Sequence, residues 1–168
     1  MASVDLEDLV PDLVVEISTP GATVYDTVST DEWVTRLRNA FWEAHLFGFM
    51  NGWTESDGFI LKLNDVSADP MPRDTQQLIV IHAAMNVVRN ELRSLNSAAS
   101  YKAGPVSYET QKSAQVLKGL LQNMTERMEY LLNRLADSGN ATFVDYIDSY
   151  GARQTALNQG LVDWVGSL

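Results

Sequence analysis

Between residues 74 and 96 the apolar positions Leu78, Ile81, Met85, Val88, Leu92 and Leu95 step by 3, 4, 3, 4 and 3. That spacing draws a heptad-like seam down one face of a helix. Ile79, Val80, Ala83, Ala84 and Val87 widen the seam, so the front half of this helix is expected to be buried nearly all round. Between residues 108 and 136 the pattern repeats: Leu117, Leu121, Met124, Met128, Leu131 and Leu135 step by 4, 3, 4, 3 and 4, flanked by Val116, Leu120 and Leu132. Two seams of matching period, joined by about a dozen residues, predict an antiparallel helix pair as the centre of the molecule.

The rest of the chain reads as shorter pieces. Ser29 followed three residues later by Glu32 is a capping-box signature, and Trp33, Leu37, Phe41 and Ala44 recur at helical spacing behind it. This amphipathic helix is expected to end near Gly48 or Gly52. Asp57-Gly58, ahead of FILKL, is a hairpin dipeptide, so residues of about 52–66 are predicted as a small β-hairpin or an extended arm. At the N-terminus Ser3 is placed to cap a short helix to about Val10, where Pro11 argues against continuation. LVVEI (13–17) then reads as a short strand or extended piece, and TPGA (19–22) as a turn. The expected fold is mainly α: a helical bundle on two long antiparallel helices plus a shorter amphipathic one, with an irregular C-terminal segment.

Residues 141–168 differ in kind. They contain Gly151, Gly160 and Gly166 and no long seam, yet carry Phe143, Tyr146, Ile147 and Tyr150, then Leu157, Leu161 and Trp164. This is too apolar for a free tail and too broken for a core helix. Such a segment docks, either back onto its own domain or onto a neighbouring chain. The organisation is therefore a helical domain over 1–140, with an acidic stretch at 1–28, and a docking segment over 141–168.

Charge changes the picture. The net charge is −10, and residues 1–32 hold eight acids (Asp5, Glu7, Asp8, Asp12, Glu16, Asp26, Asp31 and Glu32) with no lysine or arginine. The remainder is nearly balanced. A direct nucleic-acid binder needs a basic stripe to neutralise phosphates, and this chain has the reverse. The acidic end is a solubilising surface, or one that repels nucleic acid or docks a basic partner. An apolar fraction of 45% and a charged fraction of 20% are those of a globular chain. No apolar run reaches the ~18 residues of a membrane span. MASVDLEDLVPDL lacks the basic and apolar regions of a secretory signal. With no cysteine, disulfides, thiolate metal sites and cysteine nucleophiles are all excluded.

Catalytic signatures are sparse. His45 and His82 are the only histidines, each alone on an apolar or aromatic helix, where a hydrogen-bonded structural role is the ordinary one. Neither an H-E-x-x-H nor the E-x-x-H of carboxylate-bridged bundles occurs, and there is no phosphate-binding glycine motif or nucleophile elbow. No metal and no cofactor is expected. Glu55 and Asp57 flank a turn and read as solvated loop residues rather than a glycosidase pair. Trp33, Trp42, Trp53 and Trp164 read as core and interface anchors. A carboxylate hydrolase is the weakest of the functional readings.

The joint between the two long helices is more elaborate than a turn requires. SYKAGPVSYETQKSA (100–114) sets Gly104 beside Pro105, with Tyr101, Lys102 and Ala103 before them and Val106 and Tyr108 after. Glycine frees the backbone, and proline fixes its own angle and biases its predecessor against helix. The two tyrosines pack under the joint or face a neighbouring subunit.

The run RDTQQLIVIHAAMNVVRNELRSLNSAASYKAGPVSYETQKSAQVLKGLLQNMTERMEYLL resembles the head-to-tail connector (adaptor) proteins of tailed bacteriophages with long non-contractile tails. YKAGPVSYETQKSAQVLKGLL (101–121) looks like the joint of their two principal helices, and DEWVTRLRNAFWEAHLFGFMNGW (31–53) is similar to the preceding amphipathic helix. The likeness covers roughly two thirds of the chain and excludes 141–168. It implies a non-enzymatic virion protein of the neck, assembled in the host cytoplasm. Such a protein forms a homo-oligomeric ring, typically of about twelve copies, that docks under the portal protein. The ring extends the DNA channel to the stopper and tail, and DNA crosses the lumen without sequence-specific binding or any membrane contact. In such proteins a C-terminal segment often anchors the ring in the portal. The alternatives are another neck component (stopper or tail-completion protein) or a small helical protein-binding module of cellular origin.

Overall fold

The computed structural model describes residues 3–18, 28–46, 48, 50, 52–63, 70–99 and 106–137, with side chains in the last two stretches described over 70–95 and 113–135. The fold is mainly α. In chain order the described elements are β1 (Ser3–Asp5), a 3-10 turn (Glu7–Leu9), α1 (Val10–Ile17), α2 (Thr30–Leu46), β2 (Trp53–Ser56), β3 (Phe59–Lys62), α3 (Arg73–Ala99) and α4 (Val106–Asp137). The chain divides into two units, Met1–Met128 and Glu129–Leu168.

The N-terminus departs from the expected helix-then-strand order. Residues 3–5 are a strand, and LVVEI lies in helix α1. The physical reason is the place of Pro11, which occupies the first turn of α1. There an amide hydrogen would have no intrahelical acceptor and the fixed proline φ already suits a helix. Asp5 ends the strand by accepting the Glu7 amide on Oδ1 at 2.9 Å. Leu9, Leu13 and Ile17 then recur at four-residue spacing and are buried, while Val15 is 72% exposed.

Helix α2 begins with the Ser29 half of the capping signature, the Glu32 amide donating to Ser29 Oγ at 3.3 Å. It buries Trp33, Leu37, Ala40, Phe41 and Ala44. It stops at Gly48, whose φ of 79° lets its amide reach the His45 carbonyl at 2.9 Å.

The hairpin is real and gains a third strand. Asp57 and Gly58 have φ of 53° and 90°, both positive as a type I′ turn needs. Ser56 pairs with Phe59 and Trp53 with Lys62. β1 pairs antiparallel on the other side of β3, with Val4 opposite Ile60, giving the order β1-β3-β2.

Helix α3 is the centre of the core and packs against both α1 and α2. Its front half is buried on every side from Leu78 to Met85, and Val87, Val88 and Leu92 continue the burial, whereas Leu95 is half-buried. Helix α4 buries Ala114, Leu117, Leu121, Met124 and Met128 at alternating three- and four-residue steps. Leu131 and Leu132 are buried further along, Leu135 is half-buried, and Val116, expected to flank the seam, is 43% exposed. Arg127 of α4 holds Glu16 of α1 with two hydrogen bonds, 2.5 and 2.8 Å long.

Candidate functional site

The small sheet has two unlike faces, and its register sorts the residues between them. Alternation along β2 and β3 puts Trp53, Glu55 and Ile60 on one face with Val4 of β1, and Thr54, Ser56, Phe59 and Leu61 on the other. The first face turns towards α2. Ile60 is fully buried and Trp53 nearly so.

Glu55 is the polar centre of that face and overturns its reading as a solvated loop residue. Only 7% of its side chain is exposed. Its Oε1 accepts from Arg38 Nε at 2.8 Å and from the Gly58 amide at 2.9 Å, and its Oε2 accepts from Trp42 Nε1 at 3.3 Å. Burial pushes the carboxyl up, but the Gly58 amide, Arg38 and Trp42 together outweigh it and hold it below its ordinary value. One buried carboxylate thus ties the hairpin turn to two successive turns of α2. Its two-residue spacing from Trp53 was the available signal: in a strand, those residues must share a face.

Apolar surface stays exposed on both sides of this joint. On α2, Trp42 is 39% and Leu46 79% exposed. His45 lies between them in sequence, its ring centroid 5.4 Å from that of Trp42. Trp42 also meets the buried Phe41 edge-on, at 5.3 Å and 78°, which fixes the indole in place. On the outward face of the central strand, Phe59 is 43% exposed and Leu61 half-buried, and Leu63 just beyond is 46% exposed. The polar edges Ser3, Asp5, Thr54 and Ser56 border this stripe. Apolar rows bordered by polar residues are the usual chemistry of a protein-binding surface.

Three acids of the N-terminal stretch also face outward. Glu7, Asp8 and Asp12 are exposed while Leu9 and Leu13 point inward. A shallow cleft between α1 and α3 is lined by Asp12, Val15, Glu16, Arg73, Gln77 and Val80.

Of the residues singled out in the sequence, Trp33, Leu37 and Phe41 are buried in α2. Leu78, Ile81, Met85, Val88 and Leu92 are buried in α3, and Leu117, Leu121, Met124, Met128 and Leu131 in α4. The joint residues Tyr101 to Pro105 lie outside the described residues, as do the side chains of Val106 and Tyr108. So do Phe143, Tyr146, Ile147, Tyr150, Leu157, Leu161 and Trp164. Among the described residues no group of three or more His, Cys, Asp or Glu is arranged to hold a metal ion, and no helix is long and apolar enough to cross a membrane. No family model, curated protein or solved structure matches this chain.

Proposed function

We propose that this protein is a structural ring component of a phage neck, docking beneath the portal and extending the DNA channel towards the stopper and tail. The observation that carries the reading is the helix–joint–helix run of residues 73–136, with the AGPV joint at 103–106, and its resemblance to adaptor proteins of that class. Three features support it. The two long helices α3 and α4 are elements of the length that a repeating wall uses. The exposed rows Trp42–Leu46 and Phe59–Leu63 supply apolar surface of the kind that repeated subunit contacts bury. The outward acids of the 3-10 turn and α1 suit a conduit whose walls must not retain phosphates. Residues 141–168 are assigned to the portal or to a neighbouring subunit, with Tyr146, Tyr150, Leu157 and Trp164 as anchors.

Mass spectrometry of purified virions, combined with electron microscopy of the protein mixed with portal rings, tests the reading. The expected result is a stoichiometric virion protein that forms an added ring on the portal. A protein absent from virions, or one that leaves portal rings undecorated, rejects it. Deleting 141–168 should retain helical circular dichroism and lose portal binding. Unchanged binding would remove the C-terminal segment from the interface.

A further inference from the structure

The core packs one titratable side chain between two helices. His82 is 3% exposed on the stretch of α3 that is otherwise apolar from Leu78 to Met85. A ring N–H donates to the Ala40 carbonyl of α2. Its Nδ1 stands 3.6 Å from Glu43 Oε2, also on α2. That same oxygen accepts from Asn86 Nδ2 of α3 at 2.7 Å, and Asn86 Oδ1 faces Arg89 at 3.5 Å. Ala40 and Glu43 sit one turn apart on α2, and His82, Asn86 and Arg89 follow one another along one side of α3. The result is a polar seam across the α2–α3 contact.

We propose that His82 and Glu43 form a proton-operated latch between α2 and α3. With His82 neutral, its single N–H serves Ala40, and Asn86 holds the Glu43 carboxylate. Binding one proton from solvent turns Nδ1 into a second donor. Glu43 Oε2 stands close enough that a modest shift of a half-exposed side chain converts 3.6 Å into a charge-assisted hydrogen bond. Glu43 then leaves Asn86 for His82, and the α2–α3 seam re-pairs.

The groups acting on His82 set the direction of the response. Burial pushes the imidazole below its ordinary value, and Arg89 on α3 pushes the same way. Glu43 and the Ala40 carbonyl on α2 pull it back without cancelling the effect. Neither α1 nor the sheet contributes a group acting on it among the described residues. A histidine depressed in the folded state binds its proton more readily when unfolded. Stability is therefore full above the ordinary histidine pKa of about 6.5 and declines as pH falls through the lowered folded value. Acidification weakens the α2–α3 contact, and Glu43 limits how far.

A pH titration of the full chain by NMR, following the His82 ring and the Asn86 side-chain amide, tests the latch. His82 should titrate below about 6.5, and the Asn86 amide should shift with the same midpoint. In Glu43→Gln, half-exposed and so expected to fold, the His82 midpoint should fall further and the Asn86 amide should lose its pH response. His82→Gln should flatten the dependence of Tm on pH between about 7.5 and 5. A His82 midpoint at or above the ordinary value overturns the latch. So does a Glu43→Gln variant whose His82 midpoint and Asn86 response match the parent.

Discussion

Glu55 and Arg38 meet at 2.8 Å across the contact between the hairpin and α2, with the Glu55 side chain 7% exposed and the Arg38 side chain 38% exposed. The pair is unequal: losing Glu55 removes the acceptor for three donors at once, while Arg38 can turn to water. Glu55→Ala should therefore cost roughly 2–4 kcal/mol, the range for breaking a buried hydrogen-bonded charge, and Arg38→Ala roughly 1 kcal/mol or less. Urea denaturation of the two variants measures the difference. Equal costs would mean the carboxylate is not the centre of the joint. Because the folded-state carboxyl is held below its ordinary value, its contribution is full above the unfolded carboxylate pKa. The charge-linked part is lost as pH falls through the lowered folded value, so the gap between parent and Glu55→Ala should narrow at acidic pH.

The turn that presents Glu55 depends on two left-handed residues. A methyl group added at Gly58 would touch nothing within 4 Å, so the cost of Gly58→Ala comes from its φ of 90° rather than from crowding. We expect about 1 kcal/mol of destabilisation. Asp57→Asn keeps a side chain suited to the left-handed region and should leave stability within about 0.5 kcal/mol. Thermal melts of both variants check the pair, and a neutral Gly58→Ala would count against the type I′ turn.

Leu13 and Val15 separate the helical from the extended arrangement of the N-terminal segment. In a strand they would share a face; in α1 they lie on opposite sides, Leu13 fully buried and Val15 72% exposed. Leu13→Ala should cost about 2–5 kcal/mol and Val15→Ala no more than about 0.5 kcal/mol. Similar losses in the two variants would restore the extended reading.

That segment also shows where the sequence was legible. The seams of α3 and α4 and the Ser29–Glu32 cap declared themselves because periodicity and capping are local signals. Asp57-Gly58 did so because two positive φ angles admit few residue types. Pro11 misled because proline both ends helices and opens them, and only the burial of Leu9, Leu13 and Ile17 in a core shared with α2 and α3 selects the second. β1 left no local trace, since three residues become a strand only when β3 offers an edge. Glu55 was legible only in part: its spacing from Trp53 shows a shared face, but not what covers it. Its burial comes from Arg38 and Trp42, seventeen and thirteen residues away, a distance no short motif spans.

Leu46 offers a way to separate surface from fold. Its side chain is 79% exposed near the end of α2, so Leu46→Asp should shift monomer stability by no more than about 0.5 kcal/mol. A buried charge is costly where it has no partner. If the protein forms the proposed ring and the Trp42–Leu46 row is covered in it, the same substitution should reduce assembly on portal by at least about tenfold, corresponding to roughly 1.4 kcal/mol of lost association free energy. Phe59→Ser makes the parallel test of the outward sheet stripe, where 43% exposure predicts a small folding cost. Sedimentation and electron microscopy of each variant with portal rings would resolve which row is used. If both variants assemble as the parent does, neither row is an inter-subunit contact of the proposed ring.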